Sequence, residues 1–96
     1  MKLSFVWDED KNAANLKKHG VSFQEAATIF GGIPLEIFDD PDHSDQEQRY
    51  IAVGFSEKAR TLIVVHCENP SGSEIRIISA RKATKTERST VFGGKK

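Results

Sequence analysis

The hydrophobic pattern of the chain begins with a period of two. Leu3, Phe5 and Trp7 occupy alternate positions, which predicts a short first strand. Asp8 then offers a helix N-cap, and acidic residues follow it in the turn where the helix dipole favours them. We expect this first helix to end at residues 19–20, where a histidine precedes a glycine. Its apolar stripe is thin, which predicts a position on the surface.

A second helix with a broader apolar face is predicted next. Ser22 and Glu25 have the spacing of a capping box. Apolar residues then recur at helical intervals: Phe23, Ala26, Ala27 and Phe30. This pattern is typical of an amphipathic helix that contributes a main part of the core, and the glycines at residues 31–32 should end it.

From residue 35 the period returns to two, and four further strands are predicted. They cover residues 35–38, 49–55, 61–68 and 75–82. The third of these has the most apolar centre and is expected to be the central strand. An acidic loop over residues 39–47 follows the first, and short turns at 56–60 and 69–73 separate the others. Because short turns join the final three strands, we expect an antiparallel meander.

The last strand leads directly into a third helix. Thr84 and Glu87 form a capping box, and the helix should end near residues 92–93. The tail of residues 94–96 is expected to be loose. The predicted fold is therefore one α+β domain over residues 1–96 with the order β-α-α-β-β-β-β-α. Its sheet is mostly antiparallel, with two helices on one face and a C-terminal helix.

Composition limits the class of protein. A chain of 96 residues, of which 38% are hydrophobic and 29% charged, fits a small domain with a modest core and a large surface. No apolar run is long enough for a transmembrane helix, and the first residues lack the pattern of a signal peptide. A single cysteine, Cys67, excludes an internal disulfide. These features predict a cytoplasmic protein.

Charge is distributed unevenly although the net charge is zero. Residues 36–47 contain six acids and no lysine or arginine, whereas residues 75–96 contain seven bases and one acid. This asymmetry favours a polyanion-binding C-terminal region. The alternative is that the two segments neutralise each other in the fold.

Several kinds of chemistry find no support in the residues. The histidines and Cys67 lack the spacing of metal ligands, and no glycine-rich phosphate loop follows a strand. Cys67 is adjacent to His66, but neighbours on a strand point to opposite faces, which argues against a thiol nucleophile. We therefore expect no metal and no cofactor.

Arginines in the last strand are the residues that most need an explanation. Arg76 lies among isoleucines, and simple alternation places it on one face with Ile78 and Ala80, opposite Ile75 and Ile77. A cation in that position needs a partner or a purpose. Arginines on a rigid strand suit phosphate recognition. Arginine together with a histidine or a glutamate is enough to cleave RNA, because the 2′-hydroxyl of RNA is a nucleophile already attached to the scissile phosphate. Such cleavage needs only a base, a cation that stabilises the phosphorane and an acid for the 5′-oxygen.

Five segments taken together resemble the BrnT family. They are Phe5-Val-Trp-Asp8, Asn15-Leu-Lys-Lys-His-Gly-Val-Ser-Phe23, Arg49-Tyr50 with Gly54, Leu62-Ile-Val-Val-His66, and Arg76-Ile-Ile-Ser-Ala-Arg81 with Glu87-Arg88. The resemblance implies a cytoplasmic prokaryotic ribonuclease toxin of a type II toxin–antitoxin pair, with a RelE-like fold. It also implies a BrnA-type antitoxin that neutralises the toxin and binds DNA, so that the complex represses its own operon. One departure is Ala59-Arg60-Thr61, where relatives tend to show Gly-Arg-Leu.

The resemblance also implies a set of site residues. The expected catalytic residues are Arg76, Arg81, His66 and Glu87. The arginines would contact the phosphate and the transition state, and the histidine or the glutamate would transfer the proton. The expected RNA-binding residues are Arg49, Lys18, His19, Lys82 and Arg88.

Structural roles compete with several of these assignments. His19 could satisfy carbonyls at a helix end, and His66 could be a core histidine. Arg49 could pair with an acid of the adjacent loop, and capping alone explains Glu87. His43, in the acidic loop, is expected to be solvated.

Two classes of function follow from this. The first is a metal-independent endoribonuclease that inhibits translation and growth. The second is a catalytically inactive binding module that acts with its antitoxin as a DNA-binding repressor.

Overall fold

A computed structural model describes residues 3–40 and 48–93 of the chain. The predictions for His43, for most of the acidic loop and for the tail at 94–96 lie outside the described residues. Within them the strands are β1 (Ser4–Val6), β2 (Leu35–Asp39), β3 (Tyr50–Phe55), β4 (Thr61–Glu68) and β5 (Glu74–Lys82). The helices are α1 (Glu9–His19), α2 (Phe23–Ala27) and α3 (Lys85–Arg88). The predicted order of elements is confirmed.

Helix ends follow the capping residues in the sequence. The Asp8 side chain accepts N–H bonds from the first turn of α1, and Gly20 ends that helix at a φ of 72°. Two of the helices are shorter than their patterns predict. A 3₁₀ turn over Thr28–Gly31 continues α2, and a π-helical turn over Ser89–Gly93 continues α3.

One sheet contains all five strands, in the order β1-β5-β4-β3-β2. Strands β2 to β5 are antiparallel neighbours, so the meander is confirmed and β4 lies at the centre. Strand β1 pairs parallel to β5, but only as far as Arg76. Beyond that point, in the described part of the chain, no strand covers the outer edge of β5.

Helices α1 and α2 cover one face of the sheet. The core on that side joins Phe23 and Ile29 to Leu62, Val64 and other buried apolar residues of the sheet. We call the opposite face the open face. Helix α3 and the turn after it pack there, against odd-numbered residues of β3 and β4.

Asparagines, not apolar side chains, are the buried residues of α1. Asn15 donates its side-chain N–H to the Ala80 carbonyl at 2.8 Å, and its oxygen accepts the Ala80 N–H at 3.2 Å. Asn12 likewise accepts the N–H of Phe23 at 2.8 Å. Asn15 thereby satisfies the backbone N–H and carbonyl of Ala80 at the edge of β5. These hydrogen bonds explain how a helix with a thin apolar stripe is held against the sheet.

A β-bulge in β5 changes which side chains share a face. Cys67 and His66 pair with Arg76 and Ile77, but Val65 pairs with Ser79, so Ile78 is the extra residue. The prediction that Arg76 shares a face with Ala80 is therefore wrong, because Ala80 is buried in the core with Ile77.

Candidate active site

A paired arginine and glutamate occupy the open face where β5 leads into α3. The two guanidinium nitrogens Nη1 and Nη2 of Arg81 donate to Oε1 and Oε2 of Glu87, both at 2.8 Å. Thr84 completes the arrangement, because Glu87 also accepts the Thr84 N–H at 2.9 Å and donates its own N–H to the Thr84 hydroxyl at 3.0 Å. The predicted capping box is confirmed, but capping is only part of what this carboxylate does.

The pair has a defined electrostatic state. The Arg81 guanidinium, helped by the Thr84 N–H, lowers the pKa of Glu87 to about 2. The Glu87 carboxylate in turn raises the pKa of Arg81. Both side chains keep access to solvent, with 43% of Arg81 and 35% of Glu87 exposed. An anionic ligand could therefore reach the guanidinium and compete with the carboxylate for it.

A cavity of about 330 Å³ lies beside the pair. Apolar side chains from three strands form its floor, and α3 with the following turn forms its wall. The lining includes Phe38, Ile51, Val53, Ile63 and Val91 as well as Arg81 and Glu87. The cations therefore border an apolar surface, which suits a ligand with both a charged and a flat apolar part.

Arg76 lies on the same face as Arg81, but at the other end of β5. Their partners on β4 are Cys67 and Ile63, four residues apart and hence about 13 Å. In a regular strand, residues five positions apart point to opposite faces of the sheet. The bulge at Ile78 adds one residue and so brings Arg76 and Arg81 to the same face. The distance of about 13 Å joins positions on the strand and not the guanidinium groups, so what it shows is that the two arginines stand at opposite ends of β5 on one face.

Lys18 and His19 lie at the end of α1, beside the uncovered edge of β5. With Ile78 and Ser79 they line a cavity of about 250 Å³. A second cavity of about 350 Å³, lined by Arg76, adjoins it. The structure thus places three of the predicted site residues along one side of β5.

Two further residues line these cavities and had not been singled out from the sequence. They are Trp7, before α1, and Lys11, on the helix. A signal for Lys11 did exist, because it precedes Lys18 by seven residues and so lies on the same side of a helix. Trp7 stands in one of the segments that resemble the BrnT family, but its place in the alternating apolar pattern predicted a strand position and not a site residue.

His66 is not brought to the open face. Its side chain is 0% exposed and packs against the rings of Phe30 and Tyr50, at centroid distances of 5.0 and 5.7 Å. Nε2 lies 3.1 Å from a carboxylate oxygen of Glu68, and Nδ1 is buried without a hydrogen-bond partner among the described residues. This is the position of a core histidine on the helix-covered side of the sheet.

The remaining predicted residues are Lys82, Arg88 and Arg49. Lys82 ends β5 next to Arg81, and Arg88 follows Glu87 in α3; both are exposed. Arg49 precedes β3 and is half-buried, and its carbonyl accepts the N–H of Asp40 at 3.0 Å. Arg88 can therefore add positive charge near the Arg81–Glu87 pair. Lys82 pairs with Leu62 of the core, so it points to the helix-covered face and away from the pair.

A second ion pair, absent from the predictions, lies on the helix-covered side. Glu25 of α2 is 1% exposed and accepts hydrogen bonds from the Arg60 guanidinium and, at 2.6 Å, from the Ser56 hydroxyl. Arg60, whose hydrogen bonds lower the pKa of Glu25, also donates to the Gly20 carbonyl at 3.0 Å. The Ser22 hydroxyl still caps α2, but the carboxylate of Glu25 is used by Arg60 and Ser56.

Within residues 3–40 and 48–93, no cluster of three or more histidine, cysteine or acidic side chains could hold a metal ion. The helices of the same residues are all too short or too polar to cross a membrane.

Comparisons with known proteins agree with this architecture. Residues 7–87 match the family model described as the ribonuclease toxin BrnT of type II toxin–antitoxin systems. The crystal structure of the Brucella abortus ribonuclease toxin BrnT superposes with a TM-score of 0.65 at 23% sequence identity, over 88% of this chain and 100% of the other. A search of curated protein sequences gave no significant match.

Proposed function

Because the chain belongs to the BrnT family of ribonuclease toxins of type II toxin–antitoxin systems, we propose that it is a metal-independent endoribonuclease whose activity inhibits translation and growth. The observation that carries the proposal is the Arg81–Glu87 pair. A cation and a carboxylate in direct contact, both open to solvent, are the minimum that cleavage through the 2′-hydroxyl requires.

In the proposed mechanism the scissile phosphate binds the guanidinium of Arg81. The planar fork that now holds two carboxylate oxygens matches two phosphate oxygens equally well. As the 2′-oxygen attacks phosphorus, negative charge accumulates on those oxygens, and a fixed cation stabilises it. The bond to the 5′-oxygen breaks, that oxygen takes the proton that Glu87 has accepted from the 2′-hydroxyl, and a 2′,3′-cyclic phosphate is left.

Glu87 is the proposed general base. With Arg81 bound, its pKa of about 2 makes it a poor base. A phosphate that takes over the guanidinium removes the main cause of this low pKa, so that substrate binding itself makes Glu87 more basic. The carboxylate remains next to the bound phosphate, where it can accept the proton of the 2′-hydroxyl. His66 has no part in this mechanism.

The partner we propose is a BrnA-type antitoxin, which neutralises the toxin in the cytoplasm. Contacts with DNA are made by the antitoxin, so that the hetero-oligomer represses its own operon. This part of the proposal is supported by membership of the family, which implies an antitoxin partner.

The test is cleavage of single-stranded RNA by the purified protein in EDTA. We expect internal cuts whose upstream fragments end in a 2′,3′-cyclic phosphate. A matched strand with one 2′-deoxynucleotide at the main cut position should resist cleavage there, because the nucleophile is missing. The absence of fragments, or a requirement for Mg²⁺, contradicts the mechanism.

The same assay separates this proposal from the second candidate, a binding module without catalysis. One observation favours that candidate: Glu87 already occupies the guanidinium of Arg81. If RNA binds without being cut, the ion pair is only a structural feature and the binding module is correct.

A further inference from the structure

A groove runs along the outer edge of β5, between that strand and α1. It consists of the two adjoining cavities described above, of about 350 and 250 Å³, which share Lys11 and Ile78 as lining residues. We call it the α1–β5 groove. Between Arg76, where β1 stops pairing, and Ala80, whose backbone bonds to Asn15, no strand of the described residues covers this edge.

The groove combines positive charge with an aromatic ring. Arg76 also lines a separate cavity together with Glu68 and Glu74. The lining of the groove itself includes the cations Lys11, Lys18 and Arg76 together with His19, and one carboxylate, Asp8. That carboxylate is occupied, since its Oδ1 accepts the N–H groups of Asp10 and Lys11 at 2.8 and 3.1 Å.

Trp7 supplies the ring, at the end of the groove where Arg76 lies. One edge of its indole packs against Phe23, with ring centroids 6.2 Å apart, and its N–H bonds to Glu9 at 2.9 Å. These contacts hold the ring in place while the side chain remains only partly buried. Proteins that bind single-stranded nucleic acid combine such fixed aromatic rings, on which bases stack, with cations that contact phosphates.

The α1–β5 groove runs along β5 towards Arg81. It starts at Trp7 and Arg76 and passes Ser79, two residues before Arg81. The separation of the two arginines, about 13 Å, corresponds to about four stacked nucleotides, or fewer if the strand is extended. A strand in the groove would therefore place a neighbouring phosphate near Arg81.

We propose that the α1–β5 groove is a binding track for the single-stranded RNA that flanks the cleaved bond, with Lys11, Lys18 and Arg76 contacting phosphates and Trp7 stacking on a base. The proposal rests on the proposed function, since it supplies the substrate to the Arg81–Glu87 pair. It assigns Arg76 to a flanking phosphate and not to the scissile one.

The test uses a 2′-O-methyl RNA of about nine nucleotides, which fits the site sizes known for such proteins and cannot be cleaved. Lys11→Ala should weaken binding, and the slope of log K against log salt should become less negative by about 0.7, the loss of one phosphate contact. Lys17→Ala is the matched control, because Lys17 is exposed on the same helix and does not line the groove. Equal affinities and slopes for the two variants would overturn the proposal, and the antitoxin would then be the candidate ligand of the groove.

Trp7 provides an independent measurement, because it is the only tryptophan in the chain. Binding of the same oligonucleotide should quench its fluorescence, and an abasic strand of equal length should bind about fivefold or more weakly without quenching it. Equal affinity for the abasic strand would remove Trp7 from the track. Because the probe is not cleaved, these results stand whether or not the protein proves to be a nuclease.

Kinetics then separate the track from the catalytic pair. With a long cleavable RNA, Lys11→Ala should raise KM and leave kcat unchanged, while a dinucleotide should be cut equally well by the variant and by Lys17→Ala. A fall in kcat on both substrates would contradict a role confined to the flanking strand.

Discussion

Two arginine–glutamate pairs in this protein use the same chemistry in opposite surroundings. Glu25 is 1% exposed and its Arg60 partner 29% exposed, and the pair ties α2 to the turn between β3 and β4. Arg81 and Glu87 are 43% and 35% exposed and join β5 to α3 on the open face. In the first pair the carboxylate is buried and is also bound by Ser56, so it is fixed in place although Arg60 reaches solvent. An anion can displace Glu87 from the solvent-exposed Arg81. Because of this difference we assign a structural role to the Arg60–Glu25 pair and a functional role to the Arg81–Glu87 pair.

The largest effect should follow from removal of the open cation. Arg81→Ala should slow RNA cleavage by about 10²–10³-fold, the scale of losing one fixed group that stabilises transition-state charge. Its free energy of unfolding should change little, because solvent-exposed ion pairs contribute at most about 1 kcal/mol. Single-turnover rates and urea unfolding of the same preparation check both statements. A variant that unfolds would show instead that this pair, too, is structural.

Removal of the cation that pairs with the buried carboxylate should have the opposite effect, a loss of stability. Arg60→Ala leaves the buried carboxylate of Glu25 without its main partner, which should cost about 3 kcal/mol of unfolding free energy. Lys58→Ala, an exposed change in the same turn, should cost no more than about 0.5 kcal/mol. Urea denaturation measures both. If Arg60→Ala costs no more than Lys58→Ala, the distinction between the two pairs fails.

A smaller effect is expected from pH. The pKa of Glu87 is lower in the folded protein than the ordinary value of 4.5, so its contribution to stability is complete above pH 4.5 and is lost as the pH falls towards 2. Because the pair is solvated, we expect at most about 1 kcal/mol. The stability difference between the wild type and Glu87→Gln should therefore be present at pH 6 and vanish near pH 2. A difference that persists at pH 2 would have a cause other than the ion pair.

The smallest expected effect concerns the turn that carries Arg60. Ala59 has a φ of 61°, a conformation that costs an alanine roughly 1 kcal/mol or more and a glycine nothing. Ala59→Gly should therefore raise the free energy of unfolding by about 0.5 kcal/mol, after allowing for the greater freedom of glycine in the unfolded chain. Ala13→Gly, inside α1, should lower it by about 0.8–1 kcal/mol. The same sign for both would show that the turn is not strained.

Local patterns were sufficient to predict most of the fold. Alternating apolar residues located the strands, and the side chains of Asp8, Ser22 and Thr84 cap the three helices as predicted. These features depend on neighbours in sequence, where spacing alone carries the information. The parallel pairing of β1 with β5 depends on residues about 70 positions apart, and no local pattern encodes it.

The candidate site was harder to predict for a physical reason. The bulge at Ile78 reverses the alternation of side chains within a continuous apolar run, so no pattern in the sequence indicates that Arg76 and Arg81 share a face. His66 follows the strand pattern but lies on the helix-covered side, and the sequence could not decide which side that would be. Glu25 has the spacing of a capping residue, and its contact with Arg60 forms only when α2 packs against a distant turn.

The most direct test of the two-pair account is the single-turnover cleavage rate of two variants of equal chemistry, Glu87→Gln and Glu25→Gln, at a temperature where both are folded. We predict that Glu87→Gln cuts RNA about 100-fold more slowly than the wild type, the lower end of what a general base contributes. Glu25→Gln should cut at nearly the wild-type rate. A wild-type rate for Glu87→Gln, or an equal loss in folded Glu25→Gln, would contradict the account.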